Sequence, residues 1–228
     1  MSKLIRLGAT AAFLAASVAT APAYANKADD TLRVAMAEEI LNLDYNYTTK
    51  REYIILAQLT DTTLFDLDPV TQEFKPSVAT GYNWVDETTL DVTLRDDVKF
   101  HDGSTLTAED VAYSYNWIIN PESESNASGT VGRWLDKAEV TGPNAVRFHL
   151  KTVYPLVLRD MADRIMLRKA GTYDKDGKID RDAMSQNLIG TGPYKVTEFQ
   201  PGQQVVLERF DDFFGKKPAI SKIIVRNI

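Results

Sequence analysis

Apolar and polar positions change rhythm along the chain often enough to outline its elements. Leu32-Arg33-Val34-Ala35-Met36 alternates and reads as a strand. Leu43 to Lys50 is polar and aromatic, a loop carrying Tyr45, Tyr47, Thr48 and Thr49. Ile54, Ile55, Gln58, Leu59, Thr62 and Phe65 fall at helical spacing, which predicts a helix from about Glu52 to Phe65. Pro69 to Pro76 reads as loop. Leu90, Val92 and Leu94 alternate with Asp91, Thr93 and Arg95, a half-buried strand. Thr107 to Asp110 has capping-box spacing with Asp in the last place. The helix it opens carries Val111, Tyr115, Ile118 and Ile119 on one face and stops at Pro121.

Glu122 to Gly132 is small and polar, which predicts a flexible loop. Val140 and then Val146, Phe148 and Leu150 flank Thr141-Gly142-Pro143-Asn144 as strand, turn, strand. Pro155 to Asp163 reads as a short helix, Gly171 to Asp182 as a charged loop, and Asp182 to Asn187 as a helical turn. Tyr194–Phe199 and Val205–Phe210 are strand-like and joined by Pro201-Gly202, and a further strand covers Ile220–Ile228. Strands and helices mixed in this order predict an α+β fold without an internal repeat.

The first residues have a different character. Lys3 and Arg6 precede an apolar run from Leu7 to Ala21, and Ala23-Tyr24-Ala25 has the small-x-small pattern of a signal-peptidase site. This predicts a secretory signal over residues 1–25, cleaved after Ala25. The alternative, a membrane anchor, needs an apolar run of roughly 20 residues. Cleavage removes two basic residues and no acid, taking the net charge from −6 to −8. A chain so acidic is not a generally basic nucleic-acid binder, and no nucleic-acid partner is expected.

Cysteine is absent. That excludes disulfides, thiol nucleophiles, Cys-ligated metals and a lipidated N-terminal cysteine. A free periplasmic protein is the expectation. Catalytic chemistry finds no footing either. His101, Asp102 and Ser104 stand too close in one turn for triad geometry, and no G-x-S-x-G elbow exists. His149 falls on the polar face of a strand. Asp174 to Ser185 begins like a calcium loop but carries Lys178, Ile179 and Ser185 where Asp or Asn, Gly and Glu belong. Gly190-Thr191-Gly192 is followed by Pro193 rather than a helix and lysine, so it is not a phosphate loop. No enzyme, cofactor or metal site is expected.

The stretch from Ala79 to Ser114 is specific. Ala79, Asp86, the alternating Leu90-Val92-Leu94, Arg95, Asp97, Val98, Phe100, Asp102-Gly103 and Thr107-Ala108-x-Asp110-Val111 resemble the signature of family 5 extracellular solute-binding proteins. These are the dipeptide, oligopeptide and nickel receptors of ABC importers. Gly190-Thr191-Gly192-Pro193-Tyr194 and Phe213-Phe214-Gly215-Lys216-Lys217-Pro218 resemble two later family segments, in family order.

The resemblance implies a type II-like periplasmic binding protein. Residues 26–60 and 188–228 would form an incomplete lobe I, with an inserted extra α+β domain over 61–187 and the second lobe absent. The strand Leu32–Met36 would pair with strands from residues 194–228. Ligand contacts would come from Tyr47, Thr48 and Thr49 and from Asn126, Ala127, Ser128 and Gly129. Thr48 and Thr49 also read as caps of the following helix, and Ser128-Gly129 as plain loop. Implied partners are a peptide or other small-molecule ligand and the membrane permease subunits of an importer, with the protein a monomer. The competing readings are a secreted surface or adhesive domain and a secreted hydrolase.

Overall fold

The computed structural model describes residues 30–228, so the signal sequence and its cleavage site lie outside the described residues. Two four-stranded sheets organise the chain. The first is built from β1 (Thr31–Met36), β10 (Tyr194–Gln200), β11 (Gln204–Arg209) and β12 (Lys222–Asn227), in the order β1-β12-β11-β10. β1 runs parallel to β12, with Leu32 opposite Ile223 and Val34 opposite Val225. The first strand therefore pairs with the last segment of the chain, as the resemblance implied. β10 and β11 turn at Pro201-Gly202, where Gly202 takes a φ of +70°, a left-handed conformation that glycine adopts without a Cβ penalty.

The second sheet takes β4 (Ala79–Asp86), β5 (Thr89–Leu94), β6 (Leu135–Gly142) and β7 (Ala145–Leu150), antiparallel in the order β4-β5-β7-β6. Period-two alternation decides its faces. Leu90, Val92, Leu94, Val146, Phe148 and Leu150 are buried together on one side. On the other, Arg147 grips Asp91 through two hydrogen bonds of 2.6 and 2.8 Å. Helix α2 (Ala108–Ile119) packs on β6 and β7, bringing Tyr115 edge-on to Phe148 at 4.7 Å. Its capping box forms as expected: Thr107 Oγ1 accepts from the Asp110 amide, and Asp110 Oδ2 accepts from the Thr107 amide at 2.7 Å.

Helix α1 (Arg51–Thr60) ends sooner than the apolar spacing predicted. The cause is tertiary. The Thr60 carbonyl accepts from the Gly192 amide at 2.9 Å, so the helix end is satisfied by a distant segment rather than by another turn. Phe65 then belongs to β2 (Phe65–Leu67), paired with β3 (Phe74–Pro76). The polar run between them is a built turn rather than a free loop, because Asp68 Oδ1 accepts from the amides of Val70 and Thr71 at 2.9 and 3.0 Å.

The segment from Glu122 to Gly132 is also ordered, contrary to the expected flexible loop. It holds a 3-10 turn at Pro121–Ser123 and helix α3 (Ser128–Val131). The hydroxyls of Ser123 and Ser128 donate to the Ile118 carbonyl at 3.3 and 2.8 Å, satisfying an acceptor in the last turn of α2. Small polar residues serve here as caps. Helix α4 (Val157–Asp163) packs on the β2–β3 hairpin, and the charged loop contains a minimal hairpin of β8 (Asp174–Lys175) and β9 (Lys178–Ile179). No helix of the described residues is long and apolar enough to cross a membrane.

Candidate functional site

The loop after β1 closes into a 3-10 turn at Tyr45–Tyr47, capped by Asp44 Oδ1 accepting from the Asn46 amide at 2.9 Å. Thr48 follows in extended conformation, and its hydroxyl oxygen accepts from the Lys50 amide at 3.2 Å. Neither Thr48 nor Thr49 caps α1, contrary to the structural expectation for them: the N-cap is Lys50, which makes no side-chain cap bond. Thr49 is exposed.

The structure brings this loop against the one that follows α2. Asn126 Nδ2 donates to the carbonyls of Tyr45 and Thr48 at 2.6 and 2.5 Å, and the Asn126 amide donates to the Asn46 carbonyl at 2.7 Å. Both groups of expected site residues therefore share one wall, although their side chains differ in access. Tyr47, Thr48, Asn126 and Ser128 are half-buried, Thr49 and Gly129 are exposed, and Ala127 is buried with only 2% of its surface accessible. Ala127 cannot present a side chain to solvent in this arrangement. The Ser128 hydroxyl is committed to the Ile118 carbonyl.

Behind the wall lies a buried polar network that sequence reasoning missed. Tyr47 stands edge-on to Trp117 at 6.3 Å, and Trp117 stacks on Tyr173 at 4.0 Å. The Tyr173 hydroxyl donates to Asp44 Oδ2 and accepts from Asn46 Nδ2, both at 2.8 Å. Deeper still, the fully buried Arg168 pairs with Asp61. Burial pushes the Asp44 carboxyl above its ordinary range, opposed by the positive charge of Arg168. Burial disfavours the Arg168 charge, but the negative charge of Asp61 and its hydrogen bonds outweigh this and raise its pKa. Burial and then the Asp44 charge raise the Tyr47 hydroxyl, so Tyr47 stays neutral at physiological pH. The available signal was a basic residue, Arg168, directly after the apolar run Ile165-Met166-Leu167.

His101 does not face Ser104. The Ser104 hydroxyl donates to Asp102 at 2.6 Å, while both ring nitrogens of His101 turn to the backbone of the Gly190–Gly192 segment. The Gly190 amide donates to Nδ1 at 3.2 Å. The hydrogen then sits on Nε2, which donates to the Gly192 carbonyl at 3.1 Å. This is a neutral imidazole used as a clasp. Gly190 and Gly192 lie so close to Thr60 that a Cβ would meet its carbonyl oxygen at 2.0 Å and its carbonyl carbon at 2.4 Å, respectively. Among the described residues no group of three or more His, Asp or Glu is placed to hold a metal ion.

The description "Bacterial extracellular solute-binding proteins, family 5 Middle" matches residues 73–228, more than half of the chain. The chain belongs to family 5 of the bacterial extracellular solute-binding proteins. Nickel-binding protein NikA of Staphylococcus aureus is 29% identical over 155 residues, covering 67% of this chain and 29% of NikA. Oligopeptide-binding protein AppA of Bacillus subtilis is 29% identical over 141 residues, covering 60% of this chain and 26% of AppA. The crystal structure of the ABC transporter substrate-binding protein CtaP from Listeria monocytogenes superposes with a TM-score of 0.76 at 29% identity, covering 87% of this chain and 40% of CtaP. The chain thus spans between a quarter and a third of the length of these two curated family 5 relatives. The family is made of transport solute-binding proteins, and the mixed helix and strand architecture is that of its solved structures.

Proposed function

We propose that this chain is part of the solute-binding component of an ABC importer, exported to the periplasm through a cleaved signal, taking up a peptide or similar small solute. The observation that carries this reading is the Asn126 tie, which sets the loop after β1 and the loop after α2 side by side on one wall. Tyr47, Thr48 and Thr49 with Asn126, Ser128 and Gly129 form one side of a ligand cleft. Ala127 holds the second loop in place from behind.

The division into an incomplete lobe I (26–60 and 188–228) and an inserted domain (61–187) draws support from the two sheets, whose strands come from separate ranges of the chain. A second lobe would supply the opposite wall and the charges that hold a charged ligand, and its closure follows from tighter binding in the closed state. Permease subunits of the importer are the partners, and the receptor acts as a monomer.

One wall alone binds weakly. Its groups are neutral, and each water-exposed neutral hydrogen bond contributes only about 0.5–1.5 kcal/mol. A few such bonds scarcely offset the immobilisation of a flexible ligand. Calorimetry of the chain with trialanine and with nickel–histidine should give dissociation constants of about 1 mM or weaker. Micromolar binding would show that this wall is a complete site. Export is checked separately: mass spectrometry of periplasmic material should find Asn26 at the N-terminus, and retained Met1 would refute cleavage.

A further inference from the structure

A cleft of about 810 Å³ opens between α1, the β2–β3 hairpin, α4 and the segment after β11, away from the loops just described. Neither residues 47–49 nor residues 126–129 line it. Its size falls within the roughly 300–1,000 Å³ typical of small-molecule sites.

The chemistry of its walls is mixed in a defined way. Leu67, Met166 and Phe213 supply apolar surface. Phe213 and Phe214 lie 4.8 Å apart, and the guanidinium of Arg95 stacks over Phe214 at 4.3 Å while it pairs with Asp97. Gly215 lets this arrangement form, because a Cβ there would meet the Phe213 ring at 2.6 Å. Two cations on different walls, Arg159 of α4 and Lys216 after β11, line the cleft without a hydrogen bond or ion pair to any described residue. Asp66 of β2 lines it as well, and among the described residues its carboxylate is engaged only by the Ser77 hydroxyl. Asp61 is taken up by Arg168, and Asp163 pairs with Arg164 at 3.5 Å.

Uncommitted charges of both signs beside aromatic and aliphatic surface match one ligand class. We propose that this cleft is a second binding site, for a small zwitterion with an apolar body. The ligand carboxylate lies between Arg159 and Lys216, its ammonium group meets Asp66, and its apolar part rests on Phe213 and Leu67. The site stands apart from the wall around Asn126, so its failure would leave the transport reading untouched.

Residue-resolved NMR of the whole chain tests it with three probes: L-leucyl-L-leucine, N-acetyl-L-leucyl-L-leucine, which lacks the ammonium group, and L-leucyl-L-leucinamide, which lacks the carboxylate. The zwitterion should give saturable shifts at Asp66–Leu67 and Phe213–Lys216. Loss of either charge, or Arg159→Gln or Lys216→Gln, should weaken it about fivefold to tenfold, the worth of one charge-assisted hydrogen bond in a half-open site. Both substitutions are at exposed side chains and should leave the melting temperature unchanged. Equal affinity for the three probes, no effect of either substitution, or saturable shifts confined to other parts of the chain would overturn the proposal.

Discussion

Asn126 reaches across 78 positions of sequence to donate a hydrogen bond to the carbonyl of Thr48, and the same amide nitrogen donates to the carbonyl of Tyr45. This side chain thereby ties two loops that no strand or helix connects, beside the backbone bond from the Asn126 amide to the Asn46 carbonyl. Asn126→Ala leaves both carbonyls without this donor and should cost about 1–3 kcal/mol. Asn126→Asp should cost more, because a carboxylate would face two carbonyl oxygens. Urea denaturation measures both. An unchanged midpoint for Asn126→Ala would show that the loops are held by other means.

The His101 clasp predicts a pH dependence. Burial holds the imidazole below its usual 6.5, against the favourable charge of Asp61 and together with the unfavourable charges of Arg168 and Lys195. The unfolded chain takes up the proton first as pH falls. The contribution of His101 is therefore complete above about pH 6.5 and is lost as pH drops through the lower folded-state value. The ceiling for one proton is about 1.4 kcal/mol per pH unit. Between pH 7.5 and 5, wild-type stability should fall more steeply than that of His101→Gln. Parallel curves would mean that the ring is not held neutral.

The meeting of α1 with the Gly190–Gly192 segment predicts two large effects. Gly192→Ala places a Cβ 2.4 Å from the Thr60 carbonyl carbon, against backbone that cannot swing away. Overpacking of this kind costs about 1–3 kcal/mol or more. Asp61→Asn leaves Arg168 charged and buried without its counter-ion, a loss of about 3–5 kcal/mol. Calorimetric melting of the two variants checks both numbers. Wild-type melting of Asp61→Asn would contradict the buried pair.

Legibility from sequence followed the range of the forces involved. The capping box at Thr107 and Asp110 and the alternation at Leu90, Val92 and Leu94 are local, and both are legible in the sequence. β4 escaped because it is an edge strand. Thr80, Tyr82, Asn83 and Trp84 are all exposed, so no alternation marks it. The end of α1 escaped because Gly192 terminates it from a distance. Small polar residues at 122–132 looked mobile, yet Ser123, Ser125 and Ala127 are buried. Arg168–Asp61 and Tyr173–Asp44 join residues 107 and 129 positions apart, and no periodicity encodes such pairs. The family pattern was legible because many of its positions are spaced within one continuous stretch.

The central claim is that the loops at 45–49 and 126–129 together face the transported solute. Residue-resolved NMR titration of the chain with trialanine addresses it most directly, since weak binding still shifts the amides it touches. The account predicts saturable shifts at Thr48, Thr49 and Gly129, lost in Asn126→Ala, with a dissociation constant of about 1 mM or weaker. Saturable shifts that bypass both loops, or that persist unchanged in Asn126→Ala, would contradict it.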